Sequence, residues 1–330
     1  MKRGRSARRR AVGASAAIFF GAWLAIEPCI ARPAGIPADV APRLAALDCA
    51  RVDAAGVRDV LARVPAPRIV LLQGSVPIVT MAPFGRFLIA MGYPRGQLVN
   101  PRDGELSYTS SGDAAELAGA LAFDYERSGL EPMLIGHSQG GMQAIRVLYV
   151  LAGAFGDTVE VVDSSTGQPL GRTTIVDPFT HAVRPVVGLH VAYASALATG
   201  WLPRVVLGQW SMLGRLRKVP DTADEFTGFD IPNDPIAGNL FGIAPYAALG
   251  TANVRNVVLP SSYGHIDLPR AEALADDDAL RRWIDDWQPE STAVLPPGDT
   301  RNIVHAADVW HSVKRQWCVQ AQRLLRLPPA

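Results

Sequence analysis

The chain has 330 residues, 48% hydrophobic and 19% charged, an ordinary globular composition with enough apolar content for a large core. Its formal net charge of +1 excludes a global field that would gather nucleic acid, and the basic excess sits at one end, in Lys2, Arg3, Arg5, Arg8, Arg9 and Arg10. The length allows one large α/β domain or two smaller ones.

The amino terminus has the three parts of an export signal. Met1 to Arg10 is cationic, residues 11–26 form an apolar run, and Cys29-Ile30-Ala31 offers small residues for a cut after Ala31. The run is brief for a membrane span, which needs about 20 apolar residues. We therefore expect a signal peptide over residues 1–31 and an exported product, periplasmic or secreted. The alternative is an uncleaved anchor at residues 11–26. Glu27 and Pro28 argue against an acylated Cys29. Cleavage leaves Cys49 and Cys318, and an oxidising compartment favours a disulfide between them over two buried thiols.

Residues 32–67, rich in Ala and Pro, read as an extension with a short helix or two. Arg68 to Gln73 is a continuous apolar run, the pattern of a strand buried on both faces. Phe84, Phe87, Leu88 and Met91 lie at helical spacing and Gly92 stops that helix. Leu117, Leu121 and Tyr125 mark a second helix over residues 114–128. Pro132 to Ile135 is another short strand, which runs into Gly136-His137-Ser138-Gln139-Gly140-Gly141 and then into a helix reaching about Ala154. Such an alternation belongs to a parallel sheet with crossover helices. A hairpin is expected around Ser165 to Gln168. Leu189, Tyr193, Leu197, Trp201, Leu207, Trp210 and Leu213 suggest a long helical stretch over residues 185–216. Strands return at Phe226 to Ile231 and Val254 to Leu259. A helix follows over residues 269–287, and another over residues 306–327.

Gly136 to Gly140 fits G-x-S-x-G. A serine at a sharp strand-to-helix turn is held in a strained conformation that lifts its hydroxyl clear of the sheet, and only residues with little or no side chain fit two places before and after it, where helix and strand touch. The helix aims its amino terminus at the site, so the Gln139 amide can bind a developing oxyanion. The hexapeptide resembles the nucleophile elbow of lipases and esterases in the α/β-hydrolase superfamily. Leu71-Leu72-Gln73-Gly74-Ser75 is similar to that superfamily's oxyanion loop, with Gln73 where histidine is more usual. The resemblance, over roughly Arg68 to Asp286, implies a mostly parallel central sheet with flanking helices and an inserted helical cap. The core would comprise residues 68–162 and 221–290, the cap residues 163–220, and a tail residues 291–330. It also implies a serine hydrolase with Ser138 as nucleophile and the amides of Ser75 and Gln139 as oxyanion donors.

In such a fold the order is serine, acid, histidine. His265, on a loop after Val257-Val258-Leu259, stands where the superfamily keeps its base. His181 and His190 come too early, His137 is expected to pack against the elbow, and nothing near His305 or His311 supports chemistry. Asp234, after the penultimate strand, is the favoured acid, with Asp230 and Asp177 as rivals. An apolar cap would suit a small-molecule or lipid ester and could touch a membrane surface. An acyltransferase on the same triad, or a non-catalytic binder on the same fold, are the alternatives. No metal motif, P-loop or dinucleotide fingerprint is present, so no cofactor is expected, and no basic stripe points to nucleic acid.

Overall fold

The computed structural model describes residues 35–76, 79–200, 209–239, 242–289 and 294–327. The export signal read at residues 1–31, with its alternative as an anchor, lies outside the described residues.

In chain order the strands are β1 (Ile69–Leu72), β2 (Met133–His137), β3 (Thr174–Val176), β4 (Val183–Pro185), β5 (Val191–Leu197), β6 (Lys218–Val219), β7 (Ala223–Asp230), β8 (Ala247–Ala248) and β9 (Asn253–Val258). The helices are α1 (Ala41–Ala46), α2 (Ala54–Asp59), α3 (Ala82–Ala90), α4 (Ala114–Ser128), α5 (Gln139–Leu151), α6 (Asp278–Asp286) and α7 (Ile303–Leu324).

Among the described residues five strands make the central sheet, in the order β1-β2-β5-β7-β9, and every neighbouring pair is parallel. Side chains alternate across it, as the two-residue strand period demands. Ile69 and Leu71 of β1, with Met133 and Ile135 of β2, face one apolar core shared with α3 and α7. Val70 and Leu72, with Leu134, Ala194 and Ala196, face a second core shared with α4 and α5. The result is three layers, helices on both faces of a parallel sheet, and it explains why β1, β2 and β5 are buried at every position. Helix boundaries follow local chemistry. Asp113 caps α4 by accepting from the Ala115 amide at 2.8 Å, and Gly129 ends it at φ 71°. Asp277 caps α6 through the amides of Ala279 and Leu280.

Two expectations need correction. The stretch read as helical between residues 185 and 216 contains β5, the middle strand of the sheet. Its sequence, Val-Ala-Tyr-Ala-Ser-Ala-Leu, is apolar on both faces, so periodicity carries no information, and its alanines read as helix formers. The described residues of 163–220 therefore do not form a helical cap. They hold the antiparallel β3–β4 hairpin, β5, a 3₁₀ turn at Trp210–Met212 and β6, and residues 201–208 lie outside the described set. The expected turn at Ser165 to Gln168 is present. Val162 and Pro169 form an antiparallel bridge, and Asp163 accepts from the Ser165 amide at 2.8 Å.

The last segment is also more than a tail. Helix α7 buries Trp310, Val313, Trp317 and Cys318 completely in the first core. Cys318 is joined to Cys49 by a disulfide, with α carbons 5.4 Å apart and 269 positions between them in sequence. The amino-terminal segment thus packs beside α7, and Trp317 donates its indole N–H to the Pro65 carbonyl at 3.1 Å.

Candidate active site

Ser138 stands between the end of β2 and the start of α5, with φ 54° and ψ −116°. A non-glycine residue in such a region costs about 1–3 kcal/mol and persists only where its surroundings over-determine it. Here its amide donates to the Leu197 carbonyl at 2.8 Å, and its own carbonyl accepts from the Thr199 hydroxyl at 2.8 Å. The flanking glycines are sterically required. A Cβ on Gly136 would lie 2.3 Å from the Gly140 carbonyl group, and one on Gly140 would lie 2.1 Å from the Leu72 carbonyl oxygen. A Cβ on Gly141 would meet the Thr199 hydroxyl at 2.0 Å. Strand, turn and helix backbones approach so closely that no other residue type fits at Gly136 or Gly140, and a side chain at Gly141 would displace the Thr199 hydroxyl.

His265 and Asp234 arrive from the carboxyl ends of neighbouring strands. Asp234 lies in the loop after β7, and His265 opens a 3₁₀ turn after β9. His265 Nε2 is 3.0 Å from Ser138 Oγ, and His265 Nδ1 is 2.6 Å from Asp234 Oδ2. All three side chains are buried. The other carboxylate oxygen of Asp234 accepts from the amides of Ile236 and Ala237 at 2.9 and 3.1 Å. Burial alone would raise the pKa of this carboxyl. The hydrogen bond from His265, the positive charge of that ring in its protonated form and the two amides outweigh burial and bring the pKa below the usual value. An ionised Asp234 needs a donor, so the proton sits on His265 Nδ1. That leaves Nε2 as the acceptor for the Ser138 hydroxyl.

The rival acids are engaged elsewhere. Asp230 is gripped by Arg217 through two hydrogen bonds, 2.8 and 2.9 Å, and takes a third, at 3.4 Å, from Asn239. Asp177 accepts from the Tyr125 hydroxyl at 2.9 Å and from the amides of Phe179 and Thr180 at the tip of the β3–β4 hairpin. The other histidines also lie outside the constellation. His181 occupies that same hairpin with φ 57°. His190 pairs with Asp224 at the surface. His305 is fully buried, stacks on Phe84 and bonds the Leu268 carbonyl at 2.8 Å. His311 is buried on α7.

Of the proposed oxyanion donors, Gln139 is the first residue of α5, where a helix amide has no intrahelical acceptor. Ser75 is exposed just beyond β1. The neighbouring Gly74 lies against the nucleophile, since a Cβ there would come 3.4 Å from Ser138 Cβ. Segment 107–110 holds this loop. Gln73 N–H donates to the Tyr108 carbonyl at 3.0 Å, Ser107 Oγ donates to Gln73 Oε1 at 3.0 Å, and Ser110 Oγ donates to the Gly74 carbonyl at 3.3 Å. Gln73, which stands where histidine was the more usual residue, therefore anchors the loop from behind.

Sequence reasoning missed three contributors: Thr199, Arg217 and Asn239. Besides gripping Asp230, Arg217 donates to the Thr199 carbonyl at 3.1 Å, and the Asn239 amide N–H donates to the Asp234 carbonyl at 2.9 Å. No spacing signal marks them, because each acts from a connecting segment on a partner set by the fold. Among the described residues no cluster of His, Cys, Asp or Glu could hold a metal ion, and no helix is long and apolar enough to cross a membrane.

No protein-family model matches the chain, and no curated protein is similar enough to count as a match.

Proposed function

We propose that this protein is a serine hydrolase that cleaves carboxylic esters through an acyl-enzyme on Ser138. The observation that carries the reading is one chain of contacts, Ser138 Oγ to His265 Nε2 at 3.0 Å and His265 Nδ1 to Asp234 Oδ2 at 2.6 Å. A serine hydroxyl is a weak nucleophile unless a base takes its proton, and the base needs a fixed tautomer to do so. In this reading His265 takes the Ser138 proton as Oγ attacks the ester carbonyl, and Asp234 stabilises the imidazolium. The amides of Gln139 and Ser75 receive the oxyanion, each worth roughly 3 kcal/mol. His265 then returns the proton to the departing alcohol. Water attacks the acyl-enzyme with the same base, and carboxylate leaves.

The parallel sheet and the elbow geometry support placing the chain in the α/β-hydrolase superfamily. Preference for an apolar acyl group draws support from exposed side chains on the loops that follow the strands. Val76 follows β1, Ile236 is two residues from Asp234, and Ile266 adjoins His265; Trp210 and Leu213 lie in the segment after β5, and all five are exposed. Exposed apolar side chains beside Asp234 and His265, with others on the loops after β1 and β5, suit a lipid-like ester, and the disulfide accords with export to an oxidising compartment.

The test is a fluorophosphonate probe together with a series of p-nitrophenyl esters of increasing chain length. Labelling and turnover that vanish in Ser138→Ala support the reading. A wild-type protein that neither labels nor turns over any ester leaves a non-catalytic binder on this fold.

A further inference from the structure

The side chain immediately before the nucleophile does something that its place in the motif does not require. His137 ends β2 and is 2% exposed. Its Nε2 lies 2.8 Å from the backbone carbonyl oxygen of His265. The two rings are 5.1 Å apart, tilted by 57°, so they are not stacked. A carbonyl can only accept, so Nε2 carries the proton and donates. The other nitrogen, Nδ1, is buried with no hydrogen-bond partner among the described residues, and a Cβ on Gly74 would lie 3.2 Å from it. The ring therefore sits against the Gly74 turn on one side and the His265 peptide on the other.

His265 needs such a hold. Its ring makes two hydrogen bonds, but its backbone belongs to a loop that leaves edge strand β9 and turns through a short 3₁₀ segment. A base carried on a loop drifts unless its main chain is fixed, and about 1 Å of misplacement can cost on the order of a hundredfold in rate. The donor that fixes it is bonded through one peptide link to the nucleophile itself. Any shift of the elbow carries the His265 main chain with it, and the Oγ–Nε2 distance is kept.

We propose that His137 is a positioning residue, which fixes the main chain of the base by donating Nε2–H to the His265 carbonyl and so ties base and nucleophile into one rigid unit. Burial lowers the His137 pKa to about 3, with the neighbouring His265 charge adding to the effect. The ring is thus neutral, with a single donor, throughout the range in which a serine hydrolase works. Glutamine is neutral, no bulkier than histidine, and carries its terminal nitrogen the same number of bonds from the main chain as Nε2. Asparagine is a bond too short, and leucine has no donor.

The kinetic part of the test rests on the hydrolase reading, and the spectroscopic part does not. The variants are His137→Leu, His137→Asn and His137→Gln in the disulfide-bonded protein. They are compared by kcat and KM on a p-nitrophenyl ester, by melting temperature, and by the downfield proton resonance of the His265–Asp234 hydrogen bond, assigned by its loss in Asp234→Asn. Leucine and asparagine should lower kcat roughly 30-fold at unchanged KM, and glutamine should stay within about threefold of wild type. The resonance should shift or broaden in the leucine and asparagine variants and keep its position with glutamine. If leucine does not fold, the asparagine–glutamine pair decides. Glutamine behaving like asparagine, or a resonance unmoved in every variant, overturns the proposal and leaves His137 as filler. A wild type without esterase activity sinks the hydrolase reading, and the resonance series then decides the positioning claim alone.

Discussion

Arg217 holds Asp230 with two parallel hydrogen bonds, 2.8 and 2.9 Å long, and its guanidinium lies 4.3 Å over the Tyr246 ring. The carboxylate nearest in sequence to the proposed acid is thereby a structural group. It also serves the site at one remove. Arg217 donates to the Thr199 carbonyl, and the Thr199 hydroxyl donates to the Ser138 carbonyl. Asn239, which bonds Asp230, also donates its backbone N–H to the Asp234 carbonyl. One ion pair, its carboxylate buried and its guanidinium partly so, therefore braces the elbow and the acid loop together.

The two aspartates should respond differently to the same substitution. Asp234→Asn keeps the shape but removes the acceptor that fixes the His265 tautomer, so kcat should fall about 10⁴-fold with little change in stability. Asp230→Asn should lose far less activity, because Asn can still accept from Arg217. Arg217→Met leaves the 3%-exposed Asp230 carboxylate without its partner and should cost about 3–5 kcal/mol. Ester turnover and urea unfolding of the three variants check this. An Asp230→Asn variant as inactive as Asp234→Asn would reverse the assignment of the acid.

The elbow was legible in the sequence because its constraint is local. Gly136, Gly140 and Gly141 are close-approach positions within one strand–turn–helix unit, and such an approach writes itself as glycine at fixed offsets. Asp234 and His265 were legible because each follows a strand in the expected order. Strand β5 was not, since a strand covered on both faces has no apolar period to read, and Ala192, Ala194, Ala196 and Leu197 suit a helix as well. The brace formed by Thr199, Arg217 and Asn239 was not legible either. Its partners are distant in sequence, Arg217 being 13 positions from Asp230 and Thr199 61 from Ser138, and they meet only once the sheet has formed. Helix α7 was recognised as a helix, but its role as a core layer depends on which sheet face stays uncovered, and no local pattern records that.

The disulfide should matter more to stability than to the site. It closes a loop of 269 positions, for which the loop-entropy relation gives up to about 5 kcal/mol. Neither cysteine touches the triad, and Cys318 is packed beside Trp317 in α7, far along the chain from the elbow. A Cys49→Ser, Cys318→Ser double variant should unfold at lower urea than the oxidised wild type. It should keep its kcat at temperatures where it remains folded. Urea titration with and without reductant, followed by ester turnover, measures both. A double variant as stable as wild type would show that the packing and hydrogen bonds of α7 hold it without the crosslink.

Acid should destabilise the fold through its buried imidazoles. Burial lowers the pKa of His305 to about 4 from an ordinary 6.5, and that of His311 to about 4 as well. A group with a depressed folded pKa binds more protons when unfolded between those two values, so stability rises with pH there and is lost as pH falls from about 6.5 toward 4. For the fully buried His305 the loss is on the order of 3 kcal/mol across that window. His305→Gln keeps an amide donor for the Leu268 carbonyl and removes the titrating group. Its urea midpoint should therefore fall less between pH 7.5 and pH 4.5 than that of the wild type, the difference being largest below pH 6. Equal slopes for the two proteins would mean that His305 stays neutral in the unfolded chain or becomes protonated in the folded one. The acid sensitivity would then have to come from another buried group, with His137 and His311 next in line.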